Sequence, residues 1–274
     1  MKDSARPART SATSSYSEQQ QRMVEEFTRR ADAFATAPAL TSADTLNLLV
    51  QLSNAGRRDS VLDIACGAGL VVCAFAEVVQ SATGIDLTPA MIQRAQTLQR
   101  EKGLTNVSWQ VGDVVPLPCG DNSFSIVTCR YALHHMESPA AVVSEMVRVC
   151  APGSRVVLAD MYASENPVKA AAFNRMEKRR DGSHVRALPR LELEALAHTA
   201  GLQRLRLAFY GLDWDLETVL QGSSINREEA EAIRQVFAED TESDLMSVNT
   251  RRQGSSIWFT YPIVAMVTEK PCEP

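Results

Sequence analysis

Three acidic residues each close a short hydrophobic run: Asp63 in VLDIACGAG (residues 61–69), Asp86 in Gly84-Ile85-Asp86, and Asp113 in Gly112-Asp113-Val114. The first is followed at once by the turn Gly67-Ala68-Gly69. Glycines there let the backbone bend sharply and let a ligand come close to it. A phosphate-bearing dinucleotide would want a third glycine and amide groups free to cradle its pyrophosphate. The third position is Val72, and Asp63 would set a negative charge beside the phosphates. An acid at this place suits a cationic ligand with free hydroxyls and an amino group.

The other two acids extend that chemistry. Asp86, 17 positions after Gly69, can accept both hydroxyls of a ribose, a feature shared by several nucleotide cofactors. Asp113 can accept from an adenine amino group, with Val114 against the ring. Each acid alone has a plain alternative as a helix cap or a solvated loop residue; three at successive strand ends argue for one site. S-adenosylmethionine carries a sulfonium, an ammonium and a ribose without phosphate, so the electrostatics favour it over NAD.

The segment CRYALHHM (residues 129–136) supplies candidates for acceptor chemistry. His135 and His134 titrate near neutral pH and can act as bases; the plain alternative for either is a brace for the following loop. Tyr131 can steer an acceptor or pack against the cofactor. Arg130 can bind an acidic acceptor or serve the fold. His184 and Arg186, in a polar loop, can reach the acceptor or belong to a solvated connection. Trp214 lies in a stretch that can form an apolar acceptor wall or a scaffold helix pair. Phe27 and Phe34 can close over the cofactor or join the core. The clusters 178–180 and 251–252 are basic, and a solvated face is their plain reading. His198, late in a helix, suits the macrodipole.

These residues need elements to hold them. Helical spacing runs over 17–34 and again to Leu52. Strands are expected at 60–65, 82–85, 107–111, 125–129, 155–159, 203–209 and 257–267. Helices are expected at 70–79, 89–102, 139–150 and 191–199, with further helical patterns at 216–220 and 228–237. Such alternation means an α/β fold with a mostly parallel sheet covered on both faces. The domain reading is a disordered tail over 1–16, a helical cover over 17–56, and a cofactor-binding domain over 57–274 with a helical insert at 211–256.

Composition removes other classes. The chain has 274 residues, 45% of them hydrophobic, which is ample for a core. Its 28 basic against 33 acidic residues give −5, so a nucleic-acid partner is not expected. No run approaches the ~20 apolar residues of a membrane span. The six cysteines form no CxxC pair, so buried free thiols in a reducing cytoplasm are expected and no metal site is.

The runs LDIACGAG, TGIDLTPAMIQRA, QVGDVVPLPCGDNSFSIVTCRYALHHM and VRVCAPGSRVVLAD resemble the class I S-adenosylmethionine-dependent methyltransferases, in particular the small-molecule branch with the quinone-ring methyltransferases. The resemblance implies a Rossmann-like sheet of seven strands and a small organic acceptor. A place in secondary metabolism and a homodimer are further expectations. It implies that Asp63, Ala65, Gly67 and Gly69 hold the methionine end, that Asp86 binds the ribose, and that Leu87, Asp113 and Val114 meet the adenine. Arg130 would contact the methionine portion through its backbone, and Phe34 lies in the segment that covers the cofactor in that branch. A same-fold protein with a non-methylating task, such as a cyclisation, stays open.

Overall fold

The computed structural model describes residues 16–272. The tail expected at 1–16 lies outside them except for Tyr16. Three helices come first: α1 (Glu18–Thr36), α2 (Pro38–Thr41) and α3 (Ala43–Leu52). Then follow β1 (Ser60–Ile64), α4 (Leu70–Ala76), β2 (Ser81–Asp86), α5 (Pro89–Glu101), β3 (Val107–Val111) and β4 (Phe124–Arg130). A single 3₁₀ turn, Leu133–His135, leads into α6 (Pro139–Val149), β5 (Cys150–Met161), α7 (Pro167–Arg180) and α8 (Arg190–Thr199). The chain closes with β6 (Gln203–Asp215), α9 (Leu216–Gln221), α10 (Arg227–Ser243), β7 (Arg251–Gln253) and β8 (Ser256–Glu269).

The strands form one sheet in the order β3-β2-β1-β4-β5-β8-β6, with β7 paired to β8. β1 pairs in parallel with both β2 and β4, and β8 runs antiparallel to β5 and β6. The chain winds outward from β1 to β3 and then returns to place β4 on the other side of β1. At such a switch point the loops leave in opposite directions and open a crevice beyond the strand ends.

Alternation along the strands builds a core on each face. Leu62, Ile64 and Val127 join Val143 and Met146 of α6 and Leu193 of α8 on one face. Val61 and Ile126 join Leu49 of α3 and Phe75 of α4 on the other. A third cluster holds Phe173, Ile233, Phe237 and Phe259 beneath the later helices. Proline at the first position of α5, α6 and α7 suits a site where the backbone N–H has no helical partner anyway. Among the described residues no helix is long and apolar enough to cross a membrane.

Three expectations are corrected. The polar stretch before α8 contains α7, capped by Asn166, which accepts from the N–H of Val168. Its buried residues are only Phe173, Met176 and Glu177, so its apolar stripe is too thin to see in sequence. The 211–256 stretch is not wholly helical: β6 runs on to Asp215 against β8, and β7 adds an eighth strand. Arg180 of the basic cluster is not on a solvated face; it is partly buried and paired with Glu177 at 2.6 Å.

Candidate active site

A cavity of about 270 Å³ opens beyond the carboxyl ends of β1 to β4, roofed by α1 and by the start of α6. Asp63 is the penultimate residue of β1 and is 2% exposed. Its Oδ1 accepts from the Thr128 hydroxyl at 2.6 Å. Burial pushes the Asp63 carboxyl up to about 7, against the Thr128 hydrogen bond and the nearby charge of Arg130. A carboxylate in that condition favours a cationic neighbour.

The turn after β1 is held open by Asp86, which ends β2. Asp86 accepts the Gly67 N–H through Oδ2 and the Thr88 N–H through Oδ1, both at 2.8 Å. Burial raises its carboxyl and these N–H groups pull it back down. Ala65 and Gly67 both adopt left-handed backbone, with φ of +50° and +53°. A Cβ built on Gly67 would meet nothing within 4 Å, so open space lies against the backbone there. Gly69 is different: its Cβ would come 2.5 Å from the Trp109 ring and 2.7 Å from Ala95. Glycine at 69 is required by packing, and Gly69 does not line the cavity.

Asp113, past the end of β3, accepts from the Val114 N–H at 2.6 Å. Its other oxygen accepts from the Gln20 side-chain amide of α1 at 2.5 Å. That amide's orientation is fixed, because its oxygen accepts the Ser17 N–H in the capping box of α1. Gln19, next to it, donates to the carbonyls of His135 and Ser183. Phe27 of α1 stands edge-on to Phe34 and to His135, with ring centroids 5.4 and 5.1 Å apart.

Arg130 ends β4 with its guanidinium 4.5 Å over the Tyr131 ring and one nitrogen donating to the Leu40 carbonyl at 2.8 Å. Tyr131 has left-handed backbone, φ +54°, and its hydroxyl pairs with that of Tyr210 at 2.8 Å. Burial drives the Tyr131 phenol well above its ordinary pKa, so it stays protonated.

The two neighbouring histidines divide into different roles. His134 sets Nδ1 2.5 Å from Asp160. Burial opposes its charge, but the Asp160 carboxylate outweighs burial and holds the pKa above the ordinary histidine value. His135 lines the cavity, and burial together with the charge of His134 pulls its pKa well below that value. Its Nδ1 lies 3.1 Å from both the carbonyl and the hydroxyl of Ser183. Ser183 donates its hydroxyl to Asp181 at 2.5 Å, so it must accept from His135. Nδ1 therefore carries the proton and Nε2 keeps the free lone pair of a neutral ring.

A family model described as "Methyltransferase domain" matches residues 62–158. Over 235 residues the chain is 31% identical to the "Uncharacterized methyltransferase YcgJ" of Bacillus subtilis, covering 85% of this chain and 93% of that protein. The chain belongs to the class I S-adenosylmethionine-dependent methyltransferases. The methyltransferase overlays the crystal structure of B. subtilis YcgJ with a TM-score of 0.78 at 28% identity, over 84% of this chain and 99% of that one. A putative methyltransferase of Bacillus halodurans gives the same TM-score and identity, over 84% of this chain and 100% of that one. The "Ubiquinone/menaquinone biosynthesis C-methyltransferase UbiE" of Bdellovibrio bacteriovorus is 31% identical over 128 residues, 46% of this chain and 54% of that protein. The cofactor of the methyltransferase is S-adenosylmethionine, and the NAD alternative falls.

The cavity gathers Asp63, Ala65, Gly67, Asp86, Leu87, Asp113, Val114, Arg130, Phe34, Tyr131 and His135 of the methyltransferase. Four residues singled out for catalysis or acceptor binding lie elsewhere. His134 is buried behind His135 in its pair with Asp160. His184 is buried too, with Nε2 2.9 Å from the Asn174 side chain, and burial pulls its pKa down to about 4. Arg186 makes a two-pronged pair with Glu192. Trp214 sits on β6 against the third core cluster. Among the described residues no part of 211–256 lines the cavity. Gln19, Gln20 and Met23 of α1 line it instead, and the capping box Ser17-x-x-Gln20 is the sequence signal that could have placed them at a helix start.

Proposed function

We propose that this enzyme methylates a small aromatic or conjugated acceptor of the hydroquinone kind, with His135 as the base. Its strongest support is a neutral, tautomerically fixed histidine inside a cavity that also presents the apolar groups Met23, Phe27, Leu40, Met136 and Val142. Half-length similarity to a quinone-pathway methyltransferase points the same way.

The residues fit the cofactor: there is open space against Gly67, a buried acid for a cation at Asp63, and two further acids along the strand ends. In this reading Asp63 and the 65–67 turn hold the methionine end, Asp86 the ribose, and Leu87, Val114 and Asp113 the adenine. When bound, S-adenosylmethionine supplies an already activated methyl group. The protein then has to orient, keep water out and move a proton. α1 closes the cavity with Phe27 and Phe34. Tyr131 presents a protonated hydroxyl to orient the acceptor. His135 Nε2 takes the proton that leaves the acceptor, and Ser183 and Asp181 hold the ring in the tautomer that allows it.

Methyl-labelled cofactor offered with 1,4-naphthohydroquinone and related phenols should give a labelled ring product. His135→Asn should lower that turnover by about 100-fold or more, the usual scale for losing a general base, with S-adenosylhomocysteine affinity unchanged. Unchanged turnover in the variant, or no ring product from an enzyme that binds S-adenosylhomocysteine, would overturn the reading.

A further inference from the structure

We propose that the buried His134–Asp160 pair is a positioning pair for His135: it holds a fixed cation against that ring, so the ring meets each acceptor without a proton on Nε2. The inference rests on the reading of His135 as the base. It assigns a role to two residues that do not line the cavity.

The pair is built where β4 and β5 end. Asp160 follows Ala159, the register partner of Arg130, and the turn Leu133–His135 starts just past Arg130. Asp160 is 4% exposed and His134 6%. Asp160 Oδ2 accepts the His134 N–H at 3.1 Å. Its Oδ1 accepts the Met161 N–H at 2.7 Å and faces His134 Nδ1 at 2.5 Å. The His134 carbonyl in turn accepts the N–H groups of Val185 and Arg186, both at 3.0 Å. Backbone and ring are tied together, so the ring cannot swing away from Asp160 without breaking the turn.

Charge pairing places the cation. Three acids are buried in this region: Asp160, Glu177 and Asp181. Arg180 pairs with Glu177, and Arg30 pairs with Asp181. Asp160 has no arginine or lysine partner among the described residues; its ion partner is His134. A buried carboxylate needs a counter-charge, and so short a contact is of the charge-assisted kind. The second ring proton therefore belongs on His134.

The His135 ring lies 4.1 Å from that of His134, centroid to centroid, with the planes 43° apart. Protonating His135 as well would set two cations side by side. The other groups facing His135 do not reverse this. Asp181 is answered by Arg30 and Arg180, and Ser183 is uncharged. His184, with a pKa of about 4, carries no charge at neutral pH, and α1 brings only Gln19 and Phe27. Glu177 faces His134 from α7 with Arg180 against it. Burial and His134 together outweigh Asp181 at His135.

Histidine-selective isotope labelling of the full chain puts only four rings in an NMR spectrum. In the ligand-free wild type at pH 7, His134 should carry protons on both ring nitrogens and His135 on Nδ1 alone. Two neutral rings would overturn the proposal without any mutation. Asp160→Asn keeps an acceptor for Nδ1 but removes the counter-charge, so a buried His134 gives up its proton. His134→Asn keeps a donor for Asp160 but removes the ring. A charge within about 4–6 Å moves a neighbour's pKa by about 1–3 pH units, so the His135 titration should rise by at least about one pH unit in either variant. The direction in Asp160→Asn is diagnostic. A carboxylate acting on His135 directly would, on removal, lower that titration instead. A midpoint that falls or stays put in Asp160→Asn overturns the proposal. A folding defect, followed by a melting curve, would weaken the signals without moving the midpoint.

Turnover gives a second readout, with saturating methyl-labelled cofactor and 1,4-naphthohydroquinone. A base works only unprotonated, so its rate is lost as pH falls through its pKa. The wild type should hold its rate from pH 8 to pH 6, whereas both variants should fall severalfold. A raised His135 titration with an unchanged rate profile would remove His135 as the base and leave the pair's hold on its charge standing. A changed profile with an unmoved His135 titration would overturn the proposal.

Discussion

At the scale of single residues, Asp63 has a measurable consequence. Its carboxyl titrates near 7 in the ligand-free protein because burial outweighs Thr128 and Arg130, and Asp86 nearby adds a second negative charge. A ligand whose cation stands on the ionised form must displace the proton first. Affinity is then full above the raised pKa and falls as pH drops through it, by up to tenfold per unit for a single proton. S-adenosylhomocysteine should therefore bind about tenfold more weakly at pH 6 than at pH 8. Asp63→Asn should bind weakly at both, with the pH dependence gone, and titrations in matched buffers check this. A wild-type affinity flat across that range would remove the cation from Asp63. The chemical character of this residue was legible before the fold was: an acid after a hydrophobic run and before Gly-x-Gly. Its raised pKa was not, because burial comes only with the folded sheet, and the hydrogen bond that tempers it comes from Thr128, 65 positions away and brought alongside only by the β1–β4 pairing.

At the scale of elements, α1 decides whether the site is closed. Besides Gln19 and Gln20, three contacts from its middle fasten it. Arg30 donates to Asp181 at 3.0 Å and to the Gly222 carbonyl at 2.9 Å, while Glu26 accepts from Ser224. Arg30, Glu26 and Asp181 are all buried, and the charges of Arg180 and Arg30 hold the Asp181 carboxyl well below its usual range despite burial. Truncating one partner of a buried ion pair strands the other, a cost of about 3–5 kcal/mol. Arg30→Met should lose stability of that order in urea unfolding. Because Asp181 also accepts from Ser183, which holds His135, the variant should lose turnover beyond what its folded fraction explains. A loss below about 1 kcal/mol would mean that α1 is fastened elsewhere. The amphipathic spacing of Phe27, Ala31 and Phe34 made α1 visible as a helix. Its fastening was not visible, since Arg30 meets residues 151 and 192 positions away. The same limit hid α7, whose few buried residues leave no clear stripe, and misplaced Trp214, whose strand partner Phe259 comes later in the chain.

At the scale of the whole molecule, we read the chain as one cofactor-binding sheet with covers, and the covers are unequal. α1 and α2 reach the cavity, whereas α9 and α10 bury their own cluster around Ile233, Phe237 and Phe259 away from it. The strand–helix alternation fixed this architecture early, because period and length are local properties. Which cover faces the site is not local. Since the cavity is formed by β1 to β4 and α1 together, a ligand there ties the two ends of the sheet's first half to the helical cover. At a hundred times its Kd, S-adenosylhomocysteine should add about 2.7 kcal/mol. For a chain of this size that is a rise in Tm of roughly 5–10 °C. NAD at the same concentration should leave the melting curve where it is, and a scan with each ligand decides.

The contact between Gln20 and Asp113 bears on how fast such an enzyme can recycle. If Asp113 receives the adenine amino group, the helix already supplies an amide donor to the same oxygen when that group is absent. Departure of the spent nucleoside is then a swap of one N–H for another, without a bare carboxylate waiting for water to arrive. The residence time of the product would be set by how readily α1 re-docks, which makes a capping glutamine a tuning point for the catalytic cycle.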